Sequence, residues 1–193
     1  MKFTKIAENA FKELQLNAGV LLDAFEPTTG EVSLANILGA TSGGVNFKAT
    51  PTFTDFGSDV DNCPNNMMEF KEISLWNVVL SGTFITVDAD GVKQLIGAAD
   101  VDASDNTKIV PRNILKAEDF KDIWWVGDYS DKNGEDGGGF IAIHMLNALS
   151  TGGFQIQSGK DVKGQFAFEF TGHYSLADQN KVPFEVFVKA GTD

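Results

Sequence analysis

The chain has 193 residues, of which 42% are hydrophobic and 22% charged, so it is long enough for one domain with a sizeable core and too apolar for a disordered tail. Its 15 Lys+Arg stand against 27 Asp+Glu, and a net charge of −12 leaves no basic footprint for gripping phosphates. A single cysteine, Cys63, rules out an intrachain disulfide and a thiolate metal site.

The N-terminus, "MKFTKIAENAFKELQLNAG", breaks every apolar run with Glu8, Lys12 and Glu13, and reads as neither a leader nor a membrane helix. Synthesis in a cytoplasm is the expectation. Short helical turns are expected near 33–38 and 116–122. Period-2 patterning then dominates, with strands expected over 44–54, 70–87, 123–129, 139–146, 153–157, 165–174 and 184–189. Sixteen phenylalanines suit the half-buried surface of a sheet. The run "FKEISLWNVVLSGTFITV" is apolar on both faces. Ile73, Leu75, Val79, Ile85 and Val87 fall on one, and Trp76, Val78, Leu80 and Phe84 on the other. Such a strand is expected to be covered on both faces, by core and by a helix or another subunit. One helix is expected in "DGVKQLIGAADV", with Val92, Leu95, Ile96 and Ala99 on one stripe and Asp90 as its N-cap. The result is an antiparallel β-sandwich or barrel with one flanking α-helix, and no linker divides it.

Two stretches raise a question of function. The first, "TPTFTDFGSDVDNCPNNMM" over 50–68, has no periodicity, and a loop of that length inside a compact domain is usually functional. Phe53 and Phe56 are either exposed handles for a partner or fold back onto the sheet. The second, "GQFAFEFTG" over 164–172, alternates strictly. Phe166, Phe168 and Phe170 make a core face, leaving Gln165, Ala167, Glu169 and Thr171 on a small, polar one.

Catalytic signals are sparse. His144 and His173 each sit in an expected strand without a Ser-His-Asp, Cys-His or His-x-x-x-His partner pattern, so no enzyme is expected. "DADG" at 88–91 lacks the later ligands of a calcium loop, and "DVDASDN" at 100–106 reads as a solvated acidic turn. "GEDGGGF" at 134–140 opens a strand, not a helix, and carries no phosphate-binding lysine. No cofactor or metal is expected.

The residues also carry a resemblance. "LSGTF", the helix "VKQLIGAADV", the stretch "PRNILKAEDFKDIWW", the turn "NALSTGGF" and the closing "HYSLADQNKVPFEVFV" together resemble the major tail tube protein of long-tailed phages and prophages of Gram-positive bacteria. "LDAFEPTTG" and "DNCPNN" extend the likeness towards the N-terminus. The resemblance implies one tail-tube domain over 1–193, related in fold to the tube protein of type VI secretion, without a following immunoglobulin-like domain.

It implies hexameric rings that stack into a tube, with strands of neighbouring subunits joined around a channel that DNA crosses without specific binding. The partners implied are further copies of the chain, the tape measure, the tail tip and the terminator, and the location is the virion tail. Phe53, Asp55, Phe56, Asn62 and Pro64 become candidates for inter-ring contact, and Gln165, Glu169 and Thr171 for the lumen face. The alternative from the residues alone is a carbohydrate-binding module, with Trp124, Trp125, Asp128 and Tyr129 as its platform.

Overall fold

The computed structural model describes residues 5–7, 10, 13–129 and 138–191. Positions 1–4, 8–9 and 11–12 of the N-terminal stretch, and 134–137 of the glycine-rich run, lie outside the described residues.

The architecture is a curled antiparallel sheet, a half-barrel, with one α-helix at its side. Its strands are β1 (Gln15–Leu22), β2 (Thr41–Asp55), β3 (Lys71–Phe84), β6 (Lys121–Tyr129), β7 (Gly139–Ser150), β8 (Phe166–Gly172) and β9 (Phe184–Lys189). They run in the order β1-β6-β7-β8-β3-β2, with β9 beside β7. Between β3 and β6 come the helix α1 (Ala89–Ile96) and a small ladder of β4 (Ala99–Val101) with β5 (Ile109–Pro111).

Strand β7 makes the curl. Its Phe140–Met145 part pairs with β9, while Ala148–Ser150 pairs with Phe170–Gly172 of β8. One long strand therefore belongs to two half-sheets, and folding one over the other encloses the core. Leu21, Ile123 and Met145 from one half meet Val78, Leu80, Phe168 and Phe170 from the other. Phe184 of β9 packs edge-on against Trp76 and, tilted, against Phe47, and so ties the halves together. Each such buried side chain contributes about 1.5–3 kcal/mol as an upper bound. Gly82 is needed here, since a Cβ on it would lie 2.7 Å from the ring of its register partner Phe168. The space it leaves lets Phe168 lie against Phe84 at 4.5 Å between centroids.

The alternating face of β8 falls as its pattern requires, with Phe168 and Phe170 buried and Phe166 half-buried against the same core. The short turns at Leu34–Asn36 and Ala117–Asp119 are 3-10.

Several expectations need correction. The N-cap of α1 is Asp88, whose Oδ1 accepts from the Gly91 N–H at 2.7 Å, and not Asp90, which lies inside the first turn. The helix stops at Ile96 because Gly97 adopts φ 85°, so Ala99 and Val101 enter a strand instead. The segment 153–157 is no strand; only Gln157 pairs, with Gln165, in an isolated bridge. Strand β8 is shorter than 165–174. The loop does not begin at residue 50. Strand β2 continues to Asp55, so Phe53 is a strand residue and the loop spans 56–70.

Candidate functional site

Strands β2 and β3 pair from Thr41↔Phe84 to Asp55↔Lys71, with register shifts between Thr41 and Val45 and between Thr52 and Phe53. Strand β8 accompanies β3 only from Val78 to Phe84. Beyond Trp76 the two strands therefore leave the sheet as a two-stranded arm. Its base is held by the Trp76 N–H, which donates to the Tyr174 hydroxyl at 2.8 Å.

The tip is organised by polar bonds. Asp55 turns back as a brace: its Oδ1 accepts from Gly57 N–H at 3.0 Å and its Oδ2 from Asn66 N–H at 2.9 Å. Lys71 Nζ donates to Asn66 Oδ1 and sits over the Phe53 ring at 5.6 Å. Asn62 and Asn66 take the left-handed turns at φ 61° and 68°. Asn62 and Pro64 are exposed.

What the arm lacks is cover. Phe53 is 52% exposed, Phe56 57% and Met68 83%, and Ile73 and Leu75 are about half exposed. The phenylalanines therefore do not fold back onto the sheet. Phe53 stands directly across from Ile73 and makes an apolar pair with it. Alternation predicts Leu75 on the face of Ile73, but the bulge between them leaves Leu75, opposite Thr52, on the other face, the one that Thr171 and Glu169 share further along. An isolated two-stranded hairpin is marginal in water, and uncovered apolar side chains on both of its faces are the mark of an interaction surface.

The polar face lies over the other part of the same strands. Register pairs Thr171 with Val79, Glu169 with Ser81 and Ala167 with Thr83, and β2 adds Lys48 and Asn46 beside Val79 and Ser81. Gln165 and Glu169 are exposed and Thr171 half-buried. Thr151 Oγ1 lies 2.8 Å from Thr171 Oγ1 and 3.4 Å from Glu169 Oε1. This surface is neutral and polar, with Glu169 and Lys48 as its charges. The structure thus brings Gln165, Glu169 and Thr171 together on one face and adds Lys48, which the β8 sequence alone does not reveal. The arm candidates are at the far end of the sheet from Gln165.

The two histidines and the tryptophans of β6 make their contacts within the fold. His144 stacks on Trp124 at 3.9 Å, with Nε2 3.1 Å from Asp122 Oδ2 and Nδ1 3.4 Å from Glu185 Oε2. His173 Nδ1 lies 3.2 Å from the Asn147 carbonyl, and its ring meets the edge of Phe120. Trp124 is buried against Phe25 and Phe187. The Trp125 indole N–H donates to the Ala18 carbonyl at 3.0 Å, and Asp128 accepts from Asn17 at 2.6 Å.

In the acidic turn, Asp102 accepts from both the hydroxyl and the backbone N–H of Ser104 and pairs with Lys108, which holds its carboxyl down to about 2. At Asp119, burial pushes the carboxyl up, but the Lys116 N–H and the Arg112 guanidinium outweigh it and the net shift is downward. Among the described residues, no group of three or more His, Cys, Asp and Glu is placed to hold a metal ion, and no helix is long and apolar enough to cross a membrane. Searches of protein-family models and of curated proteins find no match to the chain.

Proposed function

We propose that this chain is a structural subunit of a phage tail tube, assembling into hexameric rings that stack around a channel for DNA, with no catalytic role. The observation that carries the reading is the arm. A two-stranded extension with Phe53 and Ile73 uncovered on one face and Leu75 on the other has, in the single chain, no apolar surface to meet. In a stack of rings it gains one.

Two further features support the reading. Strands β1 and β2 end the strand order, so each offers backbone groups to a neighbour. Open edges are a hazard for a monomer and a resource for a ring, in which a heterologous contact closes by symmetry. The polar face at Gln165, Glu169 and Thr171 is then the wall of the channel. A net charge of −12 per subunit leaves a passing duplex no cationic surface to grip, with screening over about 8 Å at physiological salt. The tape measure, tail tip and terminator would meet such a tube at its core and ends, and the place of the protein is the virion tail.

Electron microscopy of the concentrated protein, alone and with a tail-tip initiator, tests the reading. Rings or tubes of uniform diameter are the expected result. A chain that stays monomeric in both conditions and binds oligosaccharides would overturn it in favour of the carbohydrate-binding alternative.

A further inference from the structure

The two ends of the β2-β3-β8 layer carry opposite local charge. At one end is the arm, with Asp59, Asp61 and Glu69 exposed around its tip. None of the three is in an ion pair among the described residues. At the other end, where β3 finishes at Phe84 beside the start of β8 at Phe166, the chain makes a small hairpin. The Gln157 and Gln165 backbones exchange hydrogen bonds of 2.8 and 2.9 Å and fix its stem. Its tip carries Lys160, Asp161 and Lys163, all exposed and in no ion pair among the described residues, so the acid offsets one lysine and the tip stays net positive. Val162, between the lysines, is 66% exposed. Phe154 and Ile156 continue the apolar surface along the stem. In a chain with 27 acids and 15 bases, a lysine-bearing apolar tip is the local exception.

The geometry is directional. Strand β3 has 14 residues, and at about 3.4 Å each the two ends lie roughly 45 Å apart. They cannot meet within one chain. We propose that the acidic, apolar tip of the arm in one copy seats against the Lys160–Lys163 hairpin of the next copy along the strand direction. The inference rests on the tube reading above and names the surface that receives the arm.

The contact is heterologous and repeats without closing, as stacking requires, and its direction is fixed because neither tip complements itself. Apolar contact between Phe56 and Met68 on one side and Phe154, Ile156 and Val162 on the other supplies burial. The opposite charges steer the approach against the repulsion of two acidic bodies. Ring formation uses the β1 and β2 edges and does not depend on this contact.

The test is a charge swap. Lys160→Glu with Lys163→Glu should leave rings intact and abolish tubes, read by electron microscopy and by sedimentation at the protein and salt concentrations at which the wild type makes tubes. Adding Asp59→Lys and Asp61→Lys to the same chain should restore tubes. Circular dichroism and thermal unfolding of each variant should match the wild type, since all four positions are exposed. Tubes of wild-type length from the lysine variant would overturn the inference and leave the tube reading standing, as would failure of the four-fold swap to restore them. Absence of both rings and tubes from the wild type with an initiator would overturn both.

Discussion

Strand β3 contains two leucines five residues apart that live in different worlds. Leu80 is 1% exposed, packed between β8 and the folded-over half-sheet, whereas Leu75 is 45% exposed on the arm. Backbone pairing to β2 is unbroken through both, with Leu80 opposite Phe47 and Leu75 opposite Thr52. Pairing therefore does not distinguish them, but the odd spacing does: Leu80 points to the face that the second layer covers, and Leu75 to the opposite, uncovered face. Hydrogen bonding makes the ladder while burial makes the energy. On the tube proposal, the uncovered apolar side chains of the arm meet a neighbouring copy.

The sharpest way to break the comparison is truncation of the buried member. Leu80→Ala should destabilise the domain by about 2–5 kcal/mol, through lost transfer energy and the cavity left beside Phe168 and Phe170. Urea unfolding followed by tryptophan fluorescence measures it. A loss under about 1 kcal/mol would mean that the two half-sheets do not share one cooperative core.

The helix tests whether stability reaches beyond the sheet. Asp88→Ala removes the only side-chain cap of α1 and should cost about 1 kcal/mol. Asp90→Ala, at the position the sequence pattern favours, should cost less. Two acids in "DADG" both satisfy the capping signal. The Asp88 carboxylate settles it by accepting from the Gly91 N–H, which starts the helix at Ala89 and leaves Asp90 inside the first turn.

That ambiguity is typical of what was legible. Alternation placed β9 at its observed limits and most of β2, β3 and β8. Strand β1 escaped because Asn17 and Gly19 take left-handed φ of 62° and 70° and break the period, and Trp125 fills the space where a Gly19 side chain would stand. "GFQIQ" at 153–157 misled in the opposite sense: its alternation belongs to the stem of an exposed hairpin with a single bridge. At the candidate site, Phe53 and Phe56 stood out because they lack pattern. The apolar second face of β3 was readable too, but the bulge that turns Ile73 away from the face of Leu75, and the point where β8 stops, are long-range pairings that no local pattern encodes.

Acid should act on the flank that carries α1, β4 and β5 and leave the difference between the leucines in place. Asp102, held at about 2 by Ser104 and Lys108, and Asp119, also lowered, both have folded values below the ordinary 3.8. The stabilisation they give is therefore complete above that value, and it is lost as pH falls from 3.8 towards 2. The urea midpoint should drop across this window. Asp102→Asn should flatten part of the slope, and an unchanged profile would show that the turn adds nothing to the fold.

The smallest effect on the monomer should come from the exposed member. Leu75→Ala removes a side chain that is already half in water, and its cross-strand neighbour Thr52 has little apolar surface to lose. A change within about 0.5 kcal/mol is expected, since only side chains far from core, caps and buried charge are so tolerant. Assembly should respond in the reverse order. On the tube proposal a neighbour covers both faces of the arm, so Leu75→Ala and Ile73→Ser should each raise the protein concentration needed for tube growth several-fold. Leu80→Ala, at temperatures where it is still folded, should leave that concentration unchanged. If Leu75→Ala costs the monomer as much as Leu80→Ala does, the arm is packed in solution and is not a free surface. If it costs nothing in either assay, that face of the arm is uncovered in the assembly as well, and the contact lies at the tip alone.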